Sequence, residues 1–166
     1  MSNKSDVNYD VIRAVRTGNL NKVKELINCY GLSYSPGWSQ GYNLLNEALS
    51  NGQVDVAKFL LTSDCKVTSR NCNSYTPLHY AASLSEIELV ENILNKGGNV
   101  HAKDGMGHTP LHNAVRTQNV DIIELLLKNG AKVNASAKNG ITPIHMAVKI
   151  QCVPILEHLL RAIQKL

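Results

Sequence analysis

The chain has 166 residues, 43% of them hydrophobic and 18% charged, which supplies a core and excludes wholesale disorder. Seventeen Lys and Arg against thirteen Asp and Glu leave a net charge of +4 without any basic run, and this speaks against a nucleic-acid binder. With one Phe and one Trp, the core has to be built from Leu, Ile, Val and Ala. No window approaches the roughly 18 apolar residues of a membrane span. Met1 to Asp6 lack a signal peptide's apolar stretch, so an intracellular, cytoplasmic protein is expected, with the nucleus as the alternative. Cys29, Cys65, Cys72 and Cys152 are irregularly spaced without a Cys-x-x-Cys, a pattern of reduced thiols rather than of a disulfide framework or a metal site.

Self-similarity organises the rest. Taken in chain order, a small residue recurs at Ala14, Ala48, Ala81, Ala114 and Ala147, one step of 34 followed by three of 33. Six residues past each stands Leu20, Val54, Ile87, Val120 or Val153. Further on come Leu26-Ile27, Leu60-Leu61, Ile93-Leu94, Leu126-Leu127 and Leu159-Leu160. These columns divide the chain into five units, approximately 7–40, 41–73, 74–106, 107–139 and 140–166.

Each unit reads as two short helices. The first unit is a polar cap, with Arg13, Arg16, Lys22, Lys24 and Glu25 on its surface. In the second, Asn43-Leu44-Leu45-Asn46 is a degraded copy of the Thr76-Pro77-Leu78-His79 that opens the third. Thr109-Pro110-Leu111-His112 and Thr142-Pro143-Ile144-His145 open the fourth and fifth. Each Thr is a good N-cap, and the Pro after it sits where a missing N–H costs nothing. Second helices are predicted to begin near Glu86, Asn119 and Cys152, with acids in their first turns where the helix dipole favours them. Asp104-Gly105 and Asn139-Gly140 predict hairpin-like loops over 100–108 and 133–141. Pairs this short cannot bury their own apolar faces, so the expected fold is an all-α solenoid of stacked units. The last helix ends in Arg161 to Leu166, less obviously polar than a cap, which leaves a longer array open.

The Thr-Pro-Leu-His-x-Ala-Ala motif, the Gly two residues before Thr, and the Leu-Leu pair resemble the ankyrin repeat, closest to the family pattern in the third to fifth units. Departures gather at or before the second junction: Ser74 for the turn Gly, Thr62-Ser63-Asp64 at a helix end, Asn43-Leu44 for Thr-Pro, and an extra residue within 29–41. That half is expected to be less stable or reshaped for a partner.

For function, the resemblance implies a right-handed solenoid that presents a rigid concave face of loop tips and first helices to another protein. Carried over by position, the face comprises Arg16; Trp38 and Tyr42; Arg70, Asn73, Tyr75 and Leu84; Lys103, Met106 and His108; Asn113 and Arg116; Lys138 and Ile141; and Lys149. Trp38, Tyr42 and Tyr75 are the candidate aromatic anchors. Basic residues outnumber acids there, with Glu47 and Asp104 the exceptions, while Glu86, Glu88, Glu91, Asp121, Glu124 and Glu157 fall on second helices. An acidic segment of a protein partner is therefore expected, bound by a monomer.

His79, His112 and His145 share one repeat column, and the resemblance implies that they tie the loops of adjacent units together. No nucleophile elbow, phosphate loop or dinucleotide fingerprint occurs, so no catalytic, cofactor or metal residues are assigned and no small-molecule substrate is expected. The reading is a non-catalytic interaction module: an adaptor, scaffold or inhibitor. Its alternatives are the partner-recruiting segment of a larger effector and an inhibitor of the IκB type.

Overall fold

A computed structural model describes residues 4–30, 43–63 and 65–164, without the side chains of residues 4–8 and 30. Ten helices account for its regular structure: α1 Lys4–Arg16, α2 Leu20–Tyr30, α3 Leu44–Ser50, α4 Val54–Leu61, α5 Pro77–Leu84, α6 Ile87–Asn95, α7 Pro110–Arg116, α8 Val120–Lys128, α9 Pro143–Lys149 and α10 Val153–Ile163. They form five consecutive pairs. Odd-numbered helices pack on one another in order to make one layer, and even-numbered helices make the other. This is the all-α repeat solenoid expected from the sequence.

Local chemistry starts the helices where the motifs place them. Thr76, Thr109 and Thr142 are extended N-caps followed by Pro in the first helical turn. In the degraded copy Asn43 does the same work: its side-chain oxygen accepts from the N–H groups of Leu45 and Asn46. Glu86, Asn119 and Cys152 are the N-caps of α6, α8 and α10, as their spacing predicts.

The interior lies between the two layers. Ala48, Ala81, Ala114 and Ala147 are fully buried in one layer, and Leu60, Ile93, Leu126 and Leu159 in the other. A small residue on the first helix lets the second approach closely, so the large residues of the second fill the space. Burial of each pair is completed by its neighbour.

The turn between the paired helices requires a left-handed residue. Gly18 and Gly52 occupy it in the first two units, but Ser85, Gln118 and Gln151 hold φ of 61, 59 and 55° in the others. A side chain in that region costs roughly 1–2 kcal/mol, whereas glycine adds roughly 0.5–1 kcal/mol of chain entropy to be lost on folding. Gln118→Gly is accordingly expected to raise stability by about 0.5–1 kcal/mol in urea unfolding. By the same measurement Leu126→Ala should lower it by about 2–5 kcal/mol, since the removed atoms leave a closed interior cavity.

Candidate protein-binding face

Three loops between units are pinned by their own side chains. Asn71 Oδ1 accepts from the N–H groups of Asn73 and Tyr75, both at 2.9 Å. Asp104 Oδ1 accepts from those of Met106 and His108, both at 2.8 Å. Asn139 Oδ1 accepts from Ile141 at 3.2 Å. Backbone bonds close each tip as a hairpin: Asn71 N–H to Tyr75, Asp104 N–H to His108, and Ala137 N–H to Ile141. Gly105 N–H then donates to the Asn73 carbonyl at 2.8 Å, and Lys138 N–H to that of Met106 at 3.0 Å. The tips therefore form one continuous edge instead of separate loops.

Buried histidines join this edge to the helices. The Thr76 and Thr109 N–H groups donate to Nδ1 of His79 and His112, at 3.2 and 3.0 Å. That leaves the ring proton on Nε2, which donates to the carbonyls of His108 and Ile141 in the next loop, at 3.1 and 3.2 Å. Burial is the main force lowering both rings' affinity for a proton, His112 to about 4. The second unit has no such histidine. There Asn43 Nδ2 donates to the Lys66 carbonyl and Asn46 Nδ2 to Ser69 Oγ.

On this edge the structure separates the residues singled out by position. Asn73, Met106, Arg116, Lys138 and Lys149 are exposed, Met106 at 63%. Tyr75 is half-buried, its ring tilted against those of His79 and Tyr80 with centroids 5.3 Å away in both cases. Leu84 and Ile141 are half-buried as well. His108 lies 3.5 Å from the Asp104 carboxylate and edge-on to His112. Asn113, read as surface, is buried. It donates to the His79 carbonyl and to Ser83 Oγ, tying α7 to α5. Trp38 and Tyr42 lie outside the described residues.

The ankyrin family model, three copies of the repeat, matches residues 11–104 and again 85–165. The chain belongs to the ankyrin-repeat family. No curated protein matches it. Ankyrin repeats are in general protein–protein interaction modules and are typically non-catalytic. Among the described residues no helix is long and apolar enough to cross a membrane, and no group of three His, Cys, Asp or Glu is placed to hold a metal ion.

Within this ankyrin array the six basic positions of the face are not equivalent. Arg70 donates to the Lys103 carbonyl at 2.7 Å and to that of Ser74 at 3.2 Å, and Lys103 Nζ to the Ser136 carbonyl at 2.8 Å. Each reaches one repeat onward and staples the loop edge. Arg16 pairs with Glu47 across the first two units. Arg116, Lys138 and Lys149 make no ion pair or hydrogen bond through their side chains among the described residues. The acids assigned to this face are occupied: Glu47 by Arg16, and Asp104, 6% exposed, by its turn. On the other layer Glu88, Glu124 and Glu157 pair with Lys58, with Lys128 and His158, and with Arg161.

Motif reading missed the stapling role of Arg70 and Lys103, although their spacing of 33 residues was a signal. It also missed Asn113 and Thr117, whose hydroxyl lies 3.3 Å from the Ala82 carbonyl. The depressed His112 sets a pH dependence. Unfolding frees the ring to titrate near its ordinary 6.5, so the unfolded chain binds the extra proton between 6.5 and about 4. Stability from this group is complete above pH 6.5 and is lost as the pH falls toward 4. Urea midpoints should decline across that window, and His112→Asn, though less stable at pH 7, should show a shallower decline.

Proposed function

We propose that this ankyrin array is a non-catalytic adaptor, scaffold or inhibitor that holds an acidic segment of another protein against its concave face of loop tips and first helices. The observation that carries the reading is the electrostatic imbalance there. Arg116, Lys138 and Lys149 are exposed and unpaired among the described residues, while Glu47 is paired with Arg16 and Asp104 is buried in its own turn. Met106, exposed beside Lys138 on the loop edge, and half-buried Ile141 and Tyr75 supply apolar contact, and a soft, adaptable methionine suits a binding surface.

Preorganisation supports the same reading. Carbonyl staples from Arg70, Lys103, His79 and His112 hold the loop edge before any partner arrives, so little ordering is left for binding to accomplish. Steering by unpaired charge makes association fast and sensitive to salt. A cytoplasmic or nuclear protein with a Glu- and Asp-rich stretch is the partner this face fits.

The test reverses the three unpaired cations and spares Arg70, whose loss would loosen the loops. Arg116→Glu, Lys138→Glu and Lys149→Glu together should weaken capture of a fluorescent Glu- and Asp-rich peptide by at least ten-fold in anisotropy titrations. Far-ultraviolet circular dichroism should stay unchanged. Unaltered capture, or parental binding that ignores a rise from 50 to 500 mM salt, would refute the proposal.

A further inference from the structure

The cations of the binding face fall into rows that the repeat sets. Arg16, Ser50, Ser83, Arg116 and Lys149 occupy one column of the first helices, one step of 34 followed by three of 33. Its first three members offer no free charge. Arg16 is paired with Glu47, Ser50 Oγ donates to the Glu47 carbonyl, and Ser83 Oγ donates to that of His79 while accepting from Asn113. Arg116 and Lys149 are exposed in the last turns of α7 and α9, which pack on each other, and neither helix carries an acid. Three positions back from the column, Tyr80 and Met146 are half-buried and Asn113 is buried with its amide engaged. The row beside the cations is therefore uncharged. Lys138 stands apart on the loop edge, in a column whose preceding members are Gly105 and Cys72.

The step between stacked helices fixes how far apart two carboxylates must be to meet Arg116 and Lys149 together. Packed helices lie about 8–10 Å apart. A polyproline-type segment rises about 3.1 Å per residue and turns once in three, so residues i and i+3 share a face about 9.3 Å apart. A β-strand returns to the same face at ~6.6 or ~13 Å, and its residues three apart point to opposite sides. An α-helix covers the step only between i and i+7. A segment dense in Glu and Asp repels itself out of that helix and extends.

Resting on the acidic partner proposed above, we infer that the face reads the spacing of acids and not only their number. The bound segment crosses α7 and α9 in a polyproline-type conformation, with one carboxylate on Arg116 and another, three residues away, on Lys149. One intervening side chain falls toward the uncharged row of Tyr80, Asn113 and Met146, which favours an apolar or prolyl residue there. Lys138, with Gly105 and no cation one repeat before it, adds attraction without register.

Nuclear magnetic resonance titrations of the intact chain at about 50 mM salt, where screening is weak, test this. The probes are end-capped peptides with two glutamates one, three or five residues apart in a Gln- and Pro-containing frame, and an alanine-rich helical peptide with glutamates seven apart. The three-apart peptide is expected to bind about five-fold tighter than the others, the worth of one added exposed ion pair. Lys149→Gln should abolish that preference, whereas Lys138→Gln should weaken all four peptides alike, and circular dichroism should stay parental in both. Equal affinities, tightest binding of the helical peptide, or a preference that survives Lys149→Gln would overturn the inference and leave the acidic partner standing. Failure of all four peptides and of the Glu- and Asp-rich one would instead remove the acidic partner, and this inference with it.

Discussion

Stacking of one helix pair on the next is the contact that the other features depend on, because no pair can hide its own apolar surface. Helices of seven to nine residues such as α5 to α9 are too short to persist alone in water. Their burial is shared: Val115 is closed by the fifth pair just as Ala82 is closed by the fourth.

Apolar stacking gives cohesion but is non-directional, and the polar contacts supply register. His79 and His112 each satisfy a threonine N–H in their own pair and a carbonyl one repeat on. Asn113 and Thr117 bond backward to α5, while Arg70 and Lys103 bond forward along the loops. A slip of one residue would leave the buried ones, His79, His112 and Asn113, unpaired, at roughly 1–3 kcal/mol each. In the second unit Asn43 and Asn46 instead bond to Lys66 and Ser69 of the same unit, and Asn46 Oδ1 is buried without a partner among the described residues. That unit is where the motif departs most from the family pattern.

Rigidity and recognition are linked through the same residues. A cation that staples a loop no longer offers its full charge to a partner, so the six basic positions divide into those that build the face and those left to use it. Arg70 and Lys103 belong to the first group, and Arg116, Lys138 and Lys149 to the second. The left-handed Ser85, Gln118 and Gln151 sit at the inter-helix turns, on a different part of each pair, and mark strain that stacking outweighs.

Much of the architecture was legible in the sequence by itself, because a repeat writes each structural requirement several times. Five small residues at fixed steps, three Thr-Pro pairs and five apolar doublets determined the helices, their order and the buried columns. Periodicity reports which face of a helix is apolar, but not which polar atoms meet across a joint. Only the tertiary structure could therefore separate exposed Lys138 from stapled Lys103, bury Asn113, or find Asp104 consumed by its own turn. It alone also placed Val115 of α7 in the interior, fully buried between its own pair and the next.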